Sequence, residues 1–257
     1  MTARLNYCWR LLATGFCFSV FGLGGLALWT FVFPAIRIFS RDSRKVRIRY
    51  VIHKSFGLFL RLMEFVGVMK MQVEGAERLA DCGRVLVLAN HPTLIDVVAM
   101  ISLMPRASCV VKQTLWKNPF LGGVVRAAGY ISNSDSDRLI DECADEILAG
   151  YPMLVFPEGT RSADGVLSGF QRGAAYIALR SGMPVLPVLI NSTPSTLTKR
   201  EKWYQIPCRR FDFRIKVMTP VRIDRLVDVQ GCQTVVARRL TRAFETYFNR
   251  ELAKWKT

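Results

Sequence analysis

The chain of 257 residues has only two histidines, His53 and His91, so a metal site built from several imidazoles is excluded. Its seven cysteines (Cys8, Cys17, Cys82, Cys109, Cys143, Cys208 and Cys232) are odd in number, and no two stand at metal-ligand spacing. They read as reduced, mostly buried thiols of a cytosolic domain. No serine or cysteine lies in a G-x-S-x-G elbow, the signature of hydrolases that form an acyl-enzyme. Acidic residues are scarce: 20 Asp and Glu face 36 Lys and Arg, a net charge of +16. Such an excess points to a polyanionic partner, which can be nucleic acid, an anionic membrane surface or an acidic carrier protein. There is no internal repeat or low-complexity linker, and 51% hydrophobic residues exclude a disordered chain.

The longest stretch without charge is residues 11–36, LLATGFCFSVFGLGGLALWTFVFPAI. Its 26 positions exceed the roughly 20 that cross a hydrocarbon core as helix. They also exceed the ~7–15 apolar residues of a cleaved signal. A membrane-anchoring helix is expected, or a helical hairpin if Gly15, Gly22, Gly24 and Gly25 let the segment turn back. Arg4 and Arg10 precede it, whereas Arg37, Arg41, Arg44, Lys45, Arg47, Arg49 and Lys54 follow. The heavier basic flank predicts that the rest of the chain lies on the cytoplasmic face of the inner membrane. Residues 56–71, broken by Arg61, Glu64 and Lys70, fit an amphipathic interfacial helix or a core helix of the next domain. The expected division is a membrane anchor with interfacial helix over 1–72 and a main domain over 73–257 that ends in a basic helix.

The main domain alternates short apolar runs with helical patterns, which predicts an α/β fold with a mostly parallel or mixed sheet flanked by helices. Strands are expected at 84–89, 109–111, 153–156, 185–190 and Phe211–Val217. In the last, Phe211, Phe213, Ile215 and Val217 share one face. A helix over 137–148 carries Asp141, Glu142, Asp145 and Glu146 opposite its apolar stripe, as a solvated face. Another, Gly173–Ser181, is stopped by Gly182 and Pro184. The tail helix over 234–254 should turn Val235, Leu240, Phe244, Tyr247 and Phe248 inward.

Two segments carry chemistry. Asn90-His91-Pro92-Thr93-Leu94-Ile95-Asp96 follows one strand and opens an apolar helix running to about Met104. Pro92 suits the first helical position and pushes His91 out of the α region. The imidazole can then fold back over the first turn and meet Asp96, as a histidine general base requires. A capping histidine with a solvated aspartate is the alternative for such a pair in isolation. Phe156-Pro157-Glu158-Gly159-Thr160-Arg161-Ser162 follows another strand and sets Glu158 and Arg161 at the sheet edge where α/β ligands bind. An ion pair closing that turn is the purely structural alternative.

These residues, taken in order, resemble the lysophospholipid acyltransferase family, the bacterial 1-acylglycerol-3-phosphate acyltransferases and their relatives. Asn90, His91 and Asp96 resemble the first block of that family. Val111-Lys112 through Pro119-Phe120-Leu121-Gly122 to Gly129-Tyr130-Ile131 resembles the second, residues 156–162 with Phe170 and Gly173 the third, and Val185-Leu186-Pro187-Val188 the fourth. The resemblance spans about 70–220 and makes 73–257 an acyltransferase domain. It implies that His91, oriented by Asp96, deprotonates the free hydroxyl of a lysolipid, which attacks an acyl thioester on an acidic acyl carrier protein or coenzyme A. No cofactor beyond that co-substrate is implied. Glu158, Gly159, Thr160 and Arg161 are implied to bind the acceptor. Lys112, or an amide beside Pro187, would support the oxyanion, and Pro187 would shape the acyl or pantetheine channel.

The acceptor so implied is 1-acylglycerol-3-phosphate, giving phosphatidate. However, Asp135 stands where such enzymes usually carry a phosphate-holding arginine, with Arg138 the nearest guanidinium, and Thr114 replaces a commonly acidic residue. A specialised acceptor such as a lyso-ornithine lipid, another lysolipid, or a polyene or glycolipid therefore stays open. Nucleic acid is not expected as a partner, since no recognised binding motif accompanies the charge. An intact His91 and Asp96 argue against a non-catalytic lipid-binding relative.

Overall fold

The computed structural model describes residues 2–39, 44–133, 136–162 and 167–256. The chain opens with helix α1 (Thr2–Ala27), which passes through a π-helical stretch (Leu28–Val32) into α2 (Phe33–Phe39). Thus the uncharged run is one continuous helix and does not fold back as a hairpin. Arg4–Phe39 is, among the described residues, the one helix long and apolar enough to cross a membrane. Helix α3 (Arg44–Phe65) packs back against it, with the Trp9 indole N–H donating to Val66 O at 3.0 Å.

Strand β1 (Met69–Glu74) and short helix α4 (Glu77–Ala80) lead to β2 (Leu86–Ala89), α5 (Asp96–Leu103), β3 (Ser108–Val111) and α6 (Gln113–Trp116). Helix α7 (Gly122–Ala128), β4 (Ile131–Ser132), α8 (Ser136–Leu148), β5 (Met153–Val155) and α9 (Gly173–Ser181) follow. The chain closes with β6 (Val185–Thr193), β7 (Phe211–Val217) and α10 (Gln233–Lys256). The seven strands form one sheet in the order β1-β7-β6-β2-β5-β3-β4. Among the described strands only β6 and β7 pair antiparallel, so β6, β2, β5, β3 and β4 all point their C-terminal ends to one edge.

Helices cover both faces, which explains why β2 reads LVLA with every residue buried. Val87 and Ala89 join a core with Ile48, Ile52 and Leu60 of α3 and with Ala99 and Met100 of α5. Leu86 and Leu88 face Ile147 of α8, Ala175 of α9 and Leu240 of α10 on the other side.

Several local expectations change. The pattern at 56–71 is the end of α3 followed by the first residues of β1, and α3 buries Ile48, Phe59 and Met63 in the main core. Its buried side packs on α5, as a core helix does, while Leu58 and Phe65 stay exposed. A division at 72/73 would cut β1 and strip one core layer from the sheet. In α10, Val236, Ala237, Leu240, Phe244, Phe248 and Leu252 are buried, while Val235 and Tyr247 are only half-buried. Of the seven thiols, all free, Cys17, Cys109 and Cys143 are buried, whereas Cys8, Cys208 and Cys232 are exposed.

The acidic face of α8 is not wholly solvated. Glu146 accepts hydrogen bonds from Lys45 and, at 3.0 Å, from Nη2 of the fully buried Arg49. Arg49 also donates to Ala128 O at 3.0 Å and Gly129 O at 3.3 Å, at the C-terminal end of the α7 macrodipole. Arg10, read as a flanking charge, is likewise buried. It donates to Pro207 O at 2.8 Å and Cys208 O at 2.6 Å, in the loop between β6 and β7.

Candidate active site

β2 lies between β6 and β5, so the loops that leave their C-terminal ends must touch. Asn90, just past β2, reaches sideways to β6. Its Nδ2 donates to Ile190 O at 2.8 Å and its Oδ1 accepts from Ile190 N at 2.7 Å. This two-point clamp fixes where the chain turns away from the sheet. His91 therefore stands outside α5, which begins only at Asp96; Pro92 precedes a turn and not the first helical position.

The imidazole folds back as its spacing predicts. Nδ1 of His91 lies 2.7 Å from Asp96 Oδ2, and the Asp96 side chain is fully buried. The carboxylate also accepts the Thr93 amide at 2.8 Å and the Thr93 hydroxyl. Burial pushes the Asp96 carboxyl up, while the hydrogen bonds from His91 and Thr93 pull against it. On its other side the His91 ring stacks on Phe156, with centroids 4.3 Å apart and planes at 30°. Nε2 has no hydrogen-bond partner among the described residues, and the side chain is 16% exposed. A ring held at one nitrogen by a buried carboxylate, with the other nitrogen open, can accept a proton there.

Glu158, which the resemblance implies binds the acceptor, is turned into the protein. It is 3% exposed, and both oxygens are occupied within the protein. Oε1 accepts from His91 N at 2.7 Å, and Oε2 accepts from Ser162 Oγ at 2.7 Å and Ser168 N at 2.9 Å. It ties the β5 loop to the β2 loop. Gly159 takes φ +66°, the left-handed turn that lets the chain double back, and its amide donates to Phe156 O at 3.0 Å. Thr160 is half-buried beside it.

Arg161 does point toward this edge. Its Nη1 donates to Leu197 O at 3.0 Å and Thr198 O at 2.9 Å, and Leu197 O also accepts from Leu94 N at 3.0 Å. Nε and Nη2 make no hydrogen bond to the described residues, which leaves one side of the fork for an anion. Lys112 is exposed at the end of β3, two strands from β2. Pro187 is buried within β6 opposite Leu88. Neither hydrogen-bonds the His91 loop among the described residues. Asp135, on which the specialised acceptor turned, lies outside them.

Sequence reasoning missed the Asn90 clamp, the Thr93 bonds, the Phe156 stack and Ser162. Only Thr93, three residues before a buried aspartate, carried a local signal.

Residues 70–191 match the family model described as Acyltransferase. The chain is 29% identical over 134 residues to a 1-acyl-sn-glycerol-3-phosphate acyltransferase of Chlamydomonas reinhardtii, covering 50% of this chain and 40% of that protein. It is 26% identical over 180 residues to 1-acyl-sn-glycerol-3-phosphate acyltransferase alpha of Mus musculus, covering 67% and 62%. The chain thus spans between 40% and 62% of the length of these two relatives. Its fold is similar to that in the crystal structure of the 1-acyl-sn-glycerophosphate acyltransferase PlsC from Thermotoga maritima. That match has a TM-score of 0.67 at 24% identity over 95% of this chain and 97% of that one.

Proposed function

We propose that the chain, whose residues 70–191 match the Acyltransferase family model, moves a fatty acyl group from a thioester to the free hydroxyl of a membrane lysolipid. The observation that carries this reading is the His91–Asp96 pair: 2.7 Å between Nδ1 and a buried carboxylate oxygen, with Nε2 unpartnered among the described residues.

In the proposed step, Asp96 keeps the proton on Nδ1 and leaves the Nε2 lone pair facing the acceptor. As the acceptor oxygen attacks the thioester carbonyl carbon, its proton passes to Nε2. The tetrahedral intermediate collapses by breaking the C–S bond, and the imidazolium returns the proton to the leaving thiolate. The products are an ester and a free thiol, with no acyl-enzyme. The open side of the Arg161 fork suits an acceptor phosphate or carboxylate, and Lys112 could add a second cation. The acceptor so favoured is 1-acylglycerol-3-phosphate, with acyl carrier protein or coenzyme A as donor.

Membrane attachment is supported by α1. Leu5, Trp9, Leu12, Phe16, Val20 and Leu23 recur every three or four residues on its outer face, each 37% to 74% exposed. The opposite side touches the domain along its length: Arg10 at residues 207–208, Gly25 at Phe120, and Trp29 at Gly123. A helix so held on the domain lies in one leaflet instead of leaving the domain to span the bilayer, on the cytoplasmic side in this reading.

The test is incubation of purified membranes with labelled acyl carrier thioester or acyl coenzyme A and a lysolipid panel that includes lyso-ornithine lipid, read by mass spectrometry. Transfer by the wild type and none by His91→Ala is expected. Undiminished transfer by a folded His91→Ala protein would overturn the reading.

A further inference from the structure

The loop joining β6 and β7 is long, and its outer part is not used by the site described above. Between residues 199 and 210 it carries Lys199, Arg200, Lys202, Arg209 and Arg210 against a single acid, Glu201. All five cationic residues are exposed, whereas Glu201 is half-buried. Glu201 is turned inward, its Oε2 accepting from Thr198 N at 3.0 Å. Trp203 and Tyr204 sit among these cations, 47% and 45% exposed, with Lys202 Nζ 5.7 Å from the Tyr204 ring centroid.

This loop is fastened to α1. The buried Arg10 guanidinium grips the carbonyls of Pro207 and Cys208. The Trp203 ring lies 6.2 Å from Phe18 and covers Gly15, where a Cβ atom would come within 3.4 Å of the indole. The surface therefore grades from the aliphatic and aromatic stripe of α1, through Trp203 and Tyr204, to a cluster of lysine and arginine.

We infer that residues 199–210 form a second membrane contact, one that recognises the anionic head groups of the leaflet in which α1 is seated. The inference rests on the proposed seating of α1 and adds a charge-reading element to it. The gradation matches the order of a bilayer: hydrocarbon, then an interface favoured by Trp and Tyr rings, then anionic head groups that attract Lys and Arg. An acidic carrier protein would satisfy the cations but not the exposed rings that join them to α1. The contact also reaches the candidate site, because Leu197 and Thr198, immediately before Lys199, supply the carbonyls that hold Arg161.

The test uses the full-length protein and two vesicle types, phosphatidylcholine alone and phosphatidylcholine with about 30% phosphatidylglycerol. Co-sedimentation of the wild type should be at least ~10-fold tighter on the anionic vesicles, with the preference fading at high salt. A variant carrying Lys199→Gln, Arg200→Gln, Lys202→Gln, Arg209→Gln and Arg210→Gln should keep its binding to phosphatidylcholine and lose most of that preference. If it misfolds, Lys199→Gln with Arg209→Gln makes the same test with a smaller shift. A folded variant that keeps the full anionic preference overturns the proposal. So does a variant that loses affinity for acyl carrier protein alone, which would make this a protein-docking surface. Failure of both proteins to bind phosphatidylcholine would instead remove the seating of α1, and this inference with it.

Discussion

Glu158 Oε1 accepts a hydrogen bond from the His91 backbone amide at 2.7 Å, and the His91 carbonyl accepts one from Ser162 N at 2.7 Å. The turn after β5 thus holds both ends of the His91 peptide. The position of the imidazole depends as much on this neighbouring loop as on its own sequence.

Glu158→Gln should consequently act on turnover more than on acceptor binding. The amide keeps one accepting oxygen, but its NH2 then confronts the Ser168 N–H, which can only donate. One buried donor loses its partner, at a cost of about 1–3 kcal/mol. Lower kcat with a nearly unchanged acceptor KM, and a lowered Tm, are expected. A large rise in KM alone would return Glu158 to head-group binding.

Arg161→Lys tests the other half of the turn. The guanidinium can hold Leu197 O and Thr198 O with Nη1 while offering Nε and Nη2 outward. A lysine has one ammonium and cannot serve both directions. The acceptor KM should rise strongly, by roughly 2–5 kcal/mol in binding terms, with less effect on the thioester KM and some loss of Tm. An unchanged acceptor KM with lowered Tm would confine Arg161 to holding the loop.

How far the sequence revealed this arrangement depended on the reach of each interaction. Phe211–Val217 and Gly173–Ser181 were legible to the residue, because alternation and a left-handed glycine stop are local signals. The His91–Asp96 meeting was legible too, since Pro92 restricts the residue before it. By contrast, β1 was hidden: its short, partly charged MKMQVE sequence continued a helical pattern, and its pairing is with β7, far along the chain. The two-residue β4 was too short to carry any period. Arg10 and Arg49 looked like flanking charges because their partners lie far away, at residues 207–208 and at 108, 128, 129 and 146.

The Glu146 cluster makes a prediction about acid stability. Burial alone would raise the Glu146 pKa, but the Lys45 hydrogen bond and the Arg49 charge outweigh it and bring the carboxyl below its ordinary value. A lowered native pKa gives stability that is complete above the ordinary carboxylate range and lost as pH falls through the native value. Glu146→Gln should lower Tm at neutral pH, by up to about 3–5 kcal/mol of stability because Arg49 stays buried. It should also flatten the acid limb of the Tm–pH curve. An acid limb identical to that of the wild type would exclude this pair as its source.

The thiols should separate by environment. Burial pushes Cys109 and Cys143 up to about 12 and Cys82 to about 11. Exposed Cys232 is lowered by the backbone N–H groups of Thr234 and Val235 at the start of α10. Limiting iodoacetamide at neutral pH should label Cys232 well before Cys82, and Cys109 and Cys143 only on unfolding, as read by peptide mass spectrometry. Early labelling of Cys109 would mean that the sheet opens near β3.

Asp96→Asn gives the sharpest separation of chemistry from stability. The native carboxylate receives three donors: His91 Nδ1, Thr93 N and the Thr93 hydroxyl. An asparagine whose oxygen takes the Oδ2 place still accepts from His91 Nδ1 and the Thr93 amide, while its NH2 meets the Thr93 hydroxyl, which can turn to accept. Flipped, its NH2 takes the Oδ2 place, strands the Thr93 N–H and reverses the tautomer, placing the proton on Nε2, where the acceptor's proton must arrive. Either way the imidazolium formed in the step loses its carboxylate counter-charge, and kcat should fall on the order of 10²–10⁴-fold. Stability should change much less, because a neutral amide removes the burial penalty that pushes the Asp96 carboxyl up. A fall in Tm comparable to the loss of turnover would make Asp96 a structural cap of α5. Near-normal kcat in a folded Asp96→Asn protein would remove the dyad from the mechanism.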